Sequence, residues 1–284
     1  MIRLRLLGVP DLPFADQLRE LAGWNQTVAD WRRFLDLESE GCFLAEWNGA
    51  PAGTVTTLIH SPQLAWVGMV LVHPEYRRRG IGRALLEGAL EYLGRRGVAC
   101  VGLDATPLGE PVYAALGFRR DFTLSRWEHR GWSKSQSVDL QGLREWAPSD
   151  QLAAVKLDTR AFGVGRVRLL AALASASRAS WVSEAEAGKI DGFGMVRAGA
   201  RAAYLGPVVA TQAANGIRLV AALLAHAGSG PVYWDIPEDQ QTVKDWAEAQ
   251  GFVRQRSLTR MFRGECAGLG VASMQIALSA PETG

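Results

Sequence analysis

Apolar residues along this chain change their spacing in a fixed order, and do so twice. Ile2-Arg3-Leu4-Arg5-Leu6 alternates with a period of two, as a half-buried strand does. Leu18-Arg19-Glu20-Leu21 and Val28-Ala29-Asp30-Trp31 then mark two helices joined through Gly23-Trp24-Asn25-Gln26-Thr27, with Thr27 placed to cap the second. Ala65-Trp66-Val67-Gly68-Met69-Val70-Leu71-Val72 is a continuous apolar run of strand length. Its internal glycine predicts a bulge or the close approach of another backbone. Farther on, Ile81, Ala84, Leu85, Gly88, Ala89, Tyr92 and Leu93 share one face at helical spacing, with Arg83, Glu87, Glu91 and Arg95 opposite and Gly97 as the stop. Val98-Ala99-Cys100-Val101-Gly102-Leu103 predicts a buried strand. It leads through Asp104-Ala105-Thr106-Pro107 into a short helix ending at Tyr113-Ala114-Ala115-Leu116-Gly117-Phe118.

The second pass is an internal repeat. Gly117-Phe118-x-Arg120-x-x-x-Leu124-Ser125-Arg126 recurs as Gly251-Phe252-x-Arg254-x-x-x-Leu258-Thr259-Arg260, every position displaced by 134 residues. Ala65-Trp66-Val67-Gly68-Met69-Val70 is echoed by Ala203-Tyr204-Leu205-Gly206-Pro207-Val208, and Gly80-Ile81 by Gly216-Ile217. Each half predicts strand, two helices, strands, long helix, strand, helix, strand, an α/β (α+β) arrangement. The expected division is 1–130, a polar linker at 131–136 (Gly131-Trp132-Ser133-Lys134-Ser135-Gln136), 137–263 and a tail at 264–284. In the tail, Met274-Gln275-Ile276-Ala277-Leu278 is expected to add an edge strand or pack across the halves, and Ser279 to Gly284 to be frayed.

Chemistry concentrates at Val70-Leu71-Val72-His73-Pro74-Glu75-Tyr76-Arg77-Arg78-Arg79-Gly80-Ile81-Gly82-Arg83, a strand passing through a basic turn into a helix. Backbone N–H groups converge at such a junction, where the helix dipole also favours negative charge. Gly80 and Gly82 leave room for a phosphate beside the main chain, and Arg77, Arg78 and Arg79 add positive charge. The turn lacks the Gly-Lys-Ser/Thr ending of a P-loop. Leu85 stands where a dinucleotide fold needs its third glycine.

The spacing Arg77-x-x-Gly80-x-Gly82 resembles the signature of the GCN5-related N-acetyltransferases (GNAT), and Tyr113-x-x-x-Gly117-Phe118 matches a second element of that family in the right order. The resemblance implies two tandem GNAT folds, each a mixed central sheet with one splayed pair of strands flanked by helices. It implies acetyl-CoA as co-substrate, held by Val70, Leu71, Val72, Arg77, Arg78, Arg79, Gly80, Ile81, Gly82 and Arg83. Thr106 occupies a place where the family often has Asn and offers a hydroxyl to the cofactor. Backbone groups of Val70, Leu71 and Val72 would meet pantetheine, and one N–H there would stabilise the oxyanion. Tyr113 is the candidate general acid, since a phenol stays protonated at neutral pH. Asp104 is the candidate base, with His73, Glu75, Glu46, His60 or a water chain as alternatives. The second half departs from the pattern. Its turn, Thr211-Gln212-Ala213-Ala214-Asn215-Gly216-Ile217-Arg218, is shorter by two residues, and Ala247 stands in place of the tyrosine. It resembles the C-terminal domain of YitH-type tandem acetyltransferases, a degenerate copy.

Composition narrows the partners. A net charge of +2 without a recurring basic stripe argues against nucleic acid, and no long apolar run supports a membrane span or a leader peptide. The expected compartment is the cytoplasm. Cys42, Cys100 and Cys266 are expected as free thiols, and the four histidines show no metal-ligand spacing. Trp24 and Asn25 offer an aromatic wall and an amide for the acceptor, expected to be a small-molecule primary amine or amino acid. A homodimer is compatible with the chain. The expected activity is N-acetyl transfer by direct attack in a ternary complex; the competing expectations are a non-catalytic acyl-CoA-binding or regulatory module, and a protein lysine or N-terminal acetyltransferase.

Overall fold

The strand exchange that organises this protein is visible in a computed structural model, which describes residues 1–132, 140–185, 188–266 and 268–284. The first half runs β1 (Ile2–Leu6), α1 (Leu12–Leu21), α2 (Val28–Glu38), β2 (Phe43–Trp47), β3 (Ala50–Ser61), β4 (Leu64–Val72), α3 (Ile81–Arg95), β5 (Cys100–Ala105), α4 (Glu110–Ala115) and β6 (Arg119–His129). The second repeats the order with β7 (Leu143–Glu145), α5 (Gln151–Phe162), α6 (Val167–Ala176), β8 (Ser177–Glu184), β9 (Ile190–Arg197), β10 (Ala203–Ala210), α7 (Ala213–Leu224), β11 (Val232–Pro237), α8 (Gln241–Ala249) and β12 (Val253–Gly264). A last short strand, β13 (Gln275–Ala277), follows. Most of the expected linker, residues 133–136, lies outside the described residues.

Local signals act as the residue pattern implies. Thr27 precedes α2, and the Asp30 carboxylate reaches back to accept its backbone N–H at 2.7 Å. In α3 the buried residues are Ile81, Leu85, Leu86, Ala89, Tyr92 and Leu93, while Arg83–Glu87 and Arg95–Glu91 pair on the exposed face. Gly97 follows the helix at φ +71°, a left-handed turn that suits glycine.

The strands form one mixed sheet in the order β1-β2-β3-β4-β5-β12-β6-β11-β10-β9-β8-β7, with β13 paired to β10. Each half lends its last long strand to the other: β12 pairs with β5, and β6 pairs with β11. The contiguous boundaries 1–130 and 137–263 therefore follow the repeat but not the packing. At the centre, β6 and β12 lie antiparallel, and Leu124 is the partner of Leu258, its own repeat equivalent. A pseudo-twofold axis passes there. Arg126 and Arg260, the repeated arginines, cross that axis to make matching buried pairs. Arg126 Nε and Nη2 donate to Asp235 at 2.8 and 2.6 Å, and Arg260 Nε and Nη2 donate to Asp104 at 2.9 and 2.9 Å.

Helices cover both faces of the sheet. On one, Leu18, Trp31 and Phe34 from α1 and α2 join Leu157, Leu170 and Leu173 from α5 and α6 in a single core shared by the two halves. On the other, α3 and α7 each sit over their own core. Burial of such apolar surface, about 25 cal/mol per Å², is the main force holding the two repeats together.

Two expectations are corrected here. Cys100 and Cys266 are not free thiols but a disulfide joining the start of β5 to the segment after β12, whereas Cys42 is free and buried, its thiol pushed up to about 12 by desolvation. The tail is not frayed. Ser279, Ala280, Glu282 and Thr283 are all buried between the halves. Trp66 Nε1 donates to Pro281 O at 2.9 Å, and Arg166, itself paired with Asp158, donates to Gly284 O at 2.5 Å. Chain ends fray unless they are tied down, and here tertiary partners from both halves supply the order.

Candidate active site

Strands β4 and β5 run parallel only from Leu64↔Cys100 to Trp66↔Gly102, and beyond that point they part. The cause is a bulge in β4. Its pairing with β3 slips between Thr56↔Gly68 and Thr54↔Leu71, Met69 takes φ +52°, and Thr54 Oγ1 donates to Met69 O at 3.0 Å. The predicted bulge thus falls just after Gly68. Gly68 itself serves the other predicted purpose, close approach, since a Cβ there would sit 2.6 Å from Glu282 O. Between the splayed strands opens a cleft of about 800 Å³.

One end of the cleft is the basic turn. His73 N–H donates to Ala52 O at 2.9 Å, so by alternation the Val72 backbone points away from β3 and into the cleft. Arg77 Nε meets the Val72 carbonyl there at 3.3 Å. The chain then turns through Arg78 at φ +60° and Gly80 at φ +79°. The first i→i−4 bond of α3 is Ala84 N–H to Gly80 O, which leaves the Ile81, Gly82 and Arg83 N–H groups ahead of the helical ladder. A Cβ on Gly80 would meet nothing within 4 Å, and one on Gly82 would meet only Val72 Cγ2 at 3.6 Å, so the space beside both glycines is open. Free amides, a helix N-terminus and flanking guanidiniums around an open space fit a diphosphate.

Farther in, Tyr113 lines the cleft from α4, its ring packed edge-on to Phe118 and over Gly109. Burial pushes its phenol up to about 12. Thr106 lines the same wall, its Oγ1 accepting the Gly109 N–H at 3.2 Å. The opposite end is assembled from distant segments: Trp24 and Gln26 after α1, Arg256 and Leu258 on β12, and Pro281 and Glu282 of the tail. There Gln26 Nε2 donates to Glu282 Oε2 at 2.6 Å. Desolvation, reinforced by Asp30 and opposed by Arg197, raises the Glu282 carboxyl above its ordinary value.

Sequence comparisons agree with this architecture. Residues 13–118 match the profile described as Acetyltransferase (GNAT) family, and residues 154–268 match a second, Acetyltransferase (GNAT) domain. The chain is a tandem GNAT protein. It is 27% identical over 193 residues to the uncharacterised N-acetyltransferase YitH of Bacillus subtilis (67% of this chain, 66% of that relative). It is also 27% identical over 245 residues to a holothin acyltransferase of Pseudoalteromonas sp. (85% of this chain, 81% of that relative). In fold it matches a proposed acetyltransferase from Pyrococcus horikoshii at TM-score 0.82 and 22% identity, covering 100% of this chain and 96% of the other. A tandem GNAT protein from the clavulanic acid biosynthesis pathway matches at TM-score 0.68 and 18% identity, over 93% and 98% of the two chains.

Most of the predicted site of this GNAT protein comes together. Val70, Val72, Arg77, Arg78, Gly80, Ile81, Gly82, Arg83, Thr106, Tyr113 and Trp24 all line the one cleft. Ile81 contributes only its amide, because its side chain is buried in the α3 core. Four assignments change. Leu71 lines the cleft with its side chain but pairs with Thr54 on β3, so its backbone is spent inside the sheet. Arg79 stacks over Trp47 at 5.2 Å rather than facing the cleft. Asn25 is buried at the seam between the halves, donating to Ala202 O at 3.0 Å and accepting from the Arg201 and Ala202 N–H groups at 2.9 Å, so it is a clamp and not an acceptor ligand.

Asp104 is the fourth. It lies in the cleft wall, but both of its oxygens are engaged by Arg260 and its side chain is 0% exposed, so its place in the fold is a buried ion pair, with burial raising its carboxyl above the ordinary value. The other candidates for a base fare no better. Glu46 is paired with Arg5 at 2.8 Å, and Glu75 is exposed outside the cleft. His60 is buried against Phe162 with its pKa lowered to about 3 by desolvation. His73 stacks on Tyr76 outside the cleft lining. Gln26 falls in the Gly23-Trp24-Asn25-Gln26-Thr27 loop expected at the acceptor end, though it was not singled out, whereas Arg256 and Glu282 were missed by sequence reasoning. Nothing local distinguishes them, and only the presence of residues beyond the repeat hinted at a role for the tail.

The second GNAT copy has the same splay, with β10 and β11 paired only from Ala203↔Val232 to Leu205↔Trp234. Its slot is filled by the chain itself. β13 pairs with β10 at Val208 and Val209, Trp234 Nε1 donates to Ile276 O at 3.1 Å, and Leu278 N–H donates to Asp235 O at 3.0 Å. Where the first copy has its open turn, α7 starts directly at Ala213, and a Cβ on Gly216 would lie 2.3 Å from Ile276 Cγ1.

Proposed function

We propose that the first half transfers an acetyl group from acetyl-CoA to a primary amine of a small molecule or amino acid, and that the second half is a non-catalytic copy that completes the acceptor end. The observation that carries this reading is the single cleft joining an open Gly80/Gly82 cradle, the Tyr113 phenol and a polar pocket built from both halves. When bound, acetyl-CoA supplies the acetyl thioester. The amides of Ile81, Gly82 and Arg83, with Arg77 and Arg78, hold the diphosphate, and the Val72 N–H and carbonyl face the slot as pantetheine partners. Holding amine and thioester together converts a bimolecular step into an effectively unimolecular one, worth up to about 7–11 kcal/mol when alignment is good. Tyr113 stays protonated at working pH and donates to the departing sulfur.

The test is calorimetric titration of the whole chain with acetyl-CoA, followed by a thiol-release screen over amines and amino acids. One binding event per chain with turnover is expected, because the second slot is occupied by β13. Absence of binding overturns the reading. Binding without turnover on any acceptor replaces it with an acyl-CoA-binding module.

A further inference from the structure

The acceptor end of the cleft contains polar groups that the fold leaves uncompensated. Gln26, 9% exposed, spends its Nε2 on Glu282, but its buried Oε1 has no hydrogen-bond partner. Glu282, 6% exposed, is carried into the first half's cleft by the tail of the second, where Gly68 allows its backbone to pass. Arg256 lines the same cavity from β12, and its buried Nε has no partner. Desolvation and the nearby Arg126 lower its pKa more than Asp235, Tyr233 and Tyr204 raise it. A partly buried guanidinium with no directly paired carboxylate is relieved by a ligand that neutralises it. Across one cleft, then, stand a carboxylate and a guanidinium with no paired carboxylate.

Resting on the reading of this cleft as an acetyl-transfer site, we propose that the acceptor is a zwitterion of the amino-acid class. Its ammonium group is met by Glu282, which Gln26 holds in place, and its carboxylate by Arg256, and Glu282 takes the ammonium proton. The neutral amine then attacks the thioester carbonyl, the C–N bond forming as the C–S bond breaks. Two protons leave the nitrogen and one arrives on the sulfur through Tyr113, so one proton per turnover reaches solvent by way of Glu282. Burial raises the Glu282 carboxyl above its ordinary value, the direction that makes it a better proton acceptor. The charged and titratable groups facing it are Asp30 of α2, Arg126 of β6, Arg197 of β9 and Tyr204 of β10, with Arg256 of β12 in the same cleft.

The experiment compares amino acids with their decarboxylated amines as acceptors, using the full chain. Wild type is expected to favour the amino acid in kcat/KM by roughly 100-fold or more, the scale of a charge-assisted contact. Parity between the two sets, in a chain that binds acetyl-CoA and turns over, overturns this inference while leaving the acetyltransferase reading in place. Failure to bind acetyl-CoA removes both. Arg256→Met is expected to abolish the preference, and its retention overturns the carboxylate assignment. Glu282→Gln keeps a group that can still meet Gln26 and is expected to lower kcat/KM by roughly 100-fold and remove the acid limb of its pH profile. Acetyl-CoA affinity and melting temperature serve as controls for folding, and an acid limb that survives in this variant overturns the role of Glu282 as base.

Discussion

The two slots of this protein are the same piece of architecture put to opposite uses. Both halves part a parallel strand pair after three residue pairs, beside a bulged strand carrying a glycine. In the first, the turn before the helix arches away at Arg78 and Gly80 and leaves a cavity of about 800 Å³. In the second, the turn is gone, the helix starts at once, and Ile276 packs onto Gly216. A splayed strand pair exposes unpaired backbone, which must be satisfied by something. The first slot leaves that backbone open to a ligand, and the second satisfies it with the protein's own segment. The presence of a GNAT fold therefore does not make a GNAT site; the few residues of the turn do.

The largest effect on this comparison comes from breaking the symmetric ion pairs. Asp104→Asn leaves Arg260 buried without its counter-charge and is expected to cost about 3–5 kcal/mol of stability, as is Asp235→Asn for Arg126. Thermal or denaturant unfolding reads the loss; a fall in turnover without any loss of stability in the Asp104 variant would restore it as a base.

Next is a pair of glycine substitutions. Gly82→Val places methyl groups in the open cradle and is expected to weaken acetyl-CoA binding by roughly 100-fold, about 2.7 kcal/mol, with little change in melting temperature. Gly216→Val collides with Ile276 and is expected to destabilise by about 1–3 kcal/mol while leaving cofactor affinity unchanged. If both variants behaved alike in titration and melting, the distinction between the slots would fail.

Tyr113→Phe is expected to lower kcat by about 100-fold with unchanged acetyl-CoA affinity, measured by stopped assay and calorimetry. Because the Tyr113 pKa is pushed up to about 12, loss of its proton gives the wild type no falling alkaline limb below about pH 11.

The effect that is smallest at neutral pH, and grows only on acidification, concerns the tail seam. His60 has a folded pKa of about 3, below its unfolded value of about 6.5, so the unfolded chain binds its proton first as the solution is acidified. This group therefore removes stability as pH falls from about 6.5 toward 3, at up to about 1.4 kcal/mol per pH unit. In His60→Leu that part of the slope disappears; an unchanged slope between pH 6.5 and 4.5 rejects the assignment.

The repeat, the element order and the anion cradle were legible in the residues, since each depends on local spacing: two-residue alternation, the α3 face, the Gly80 and Gly82 positions, Tyr113 before Gly117-Phe118. Arg126 and Arg260 were legible as a repeat but not as cross-strand partners of Asp235 and Asp104. Asp104 was misread because a carboxylate at a strand end looks the same whether it faces a substrate or an arginine 156 residues away. Asn25 and the tail were misread for the same reason, their partners lying in the other half of the chain.

By itself the amino-acid sequence determined that this protein folds as two GNAT copies and that only the first keeps the basic Gly80/Gly82 turn, because periodicity, glycine positions and motif spacing are local properties of the chain. Only the tertiary structure decided that the copies exchange β6 and β12, that β13 closes the second slot, and that Glu282 enters the first. Those outcomes depend on which surfaces and unpaired backbone edges meet across long sequence separations. Such meetings are set by packing the whole sheet together and by no segment alone.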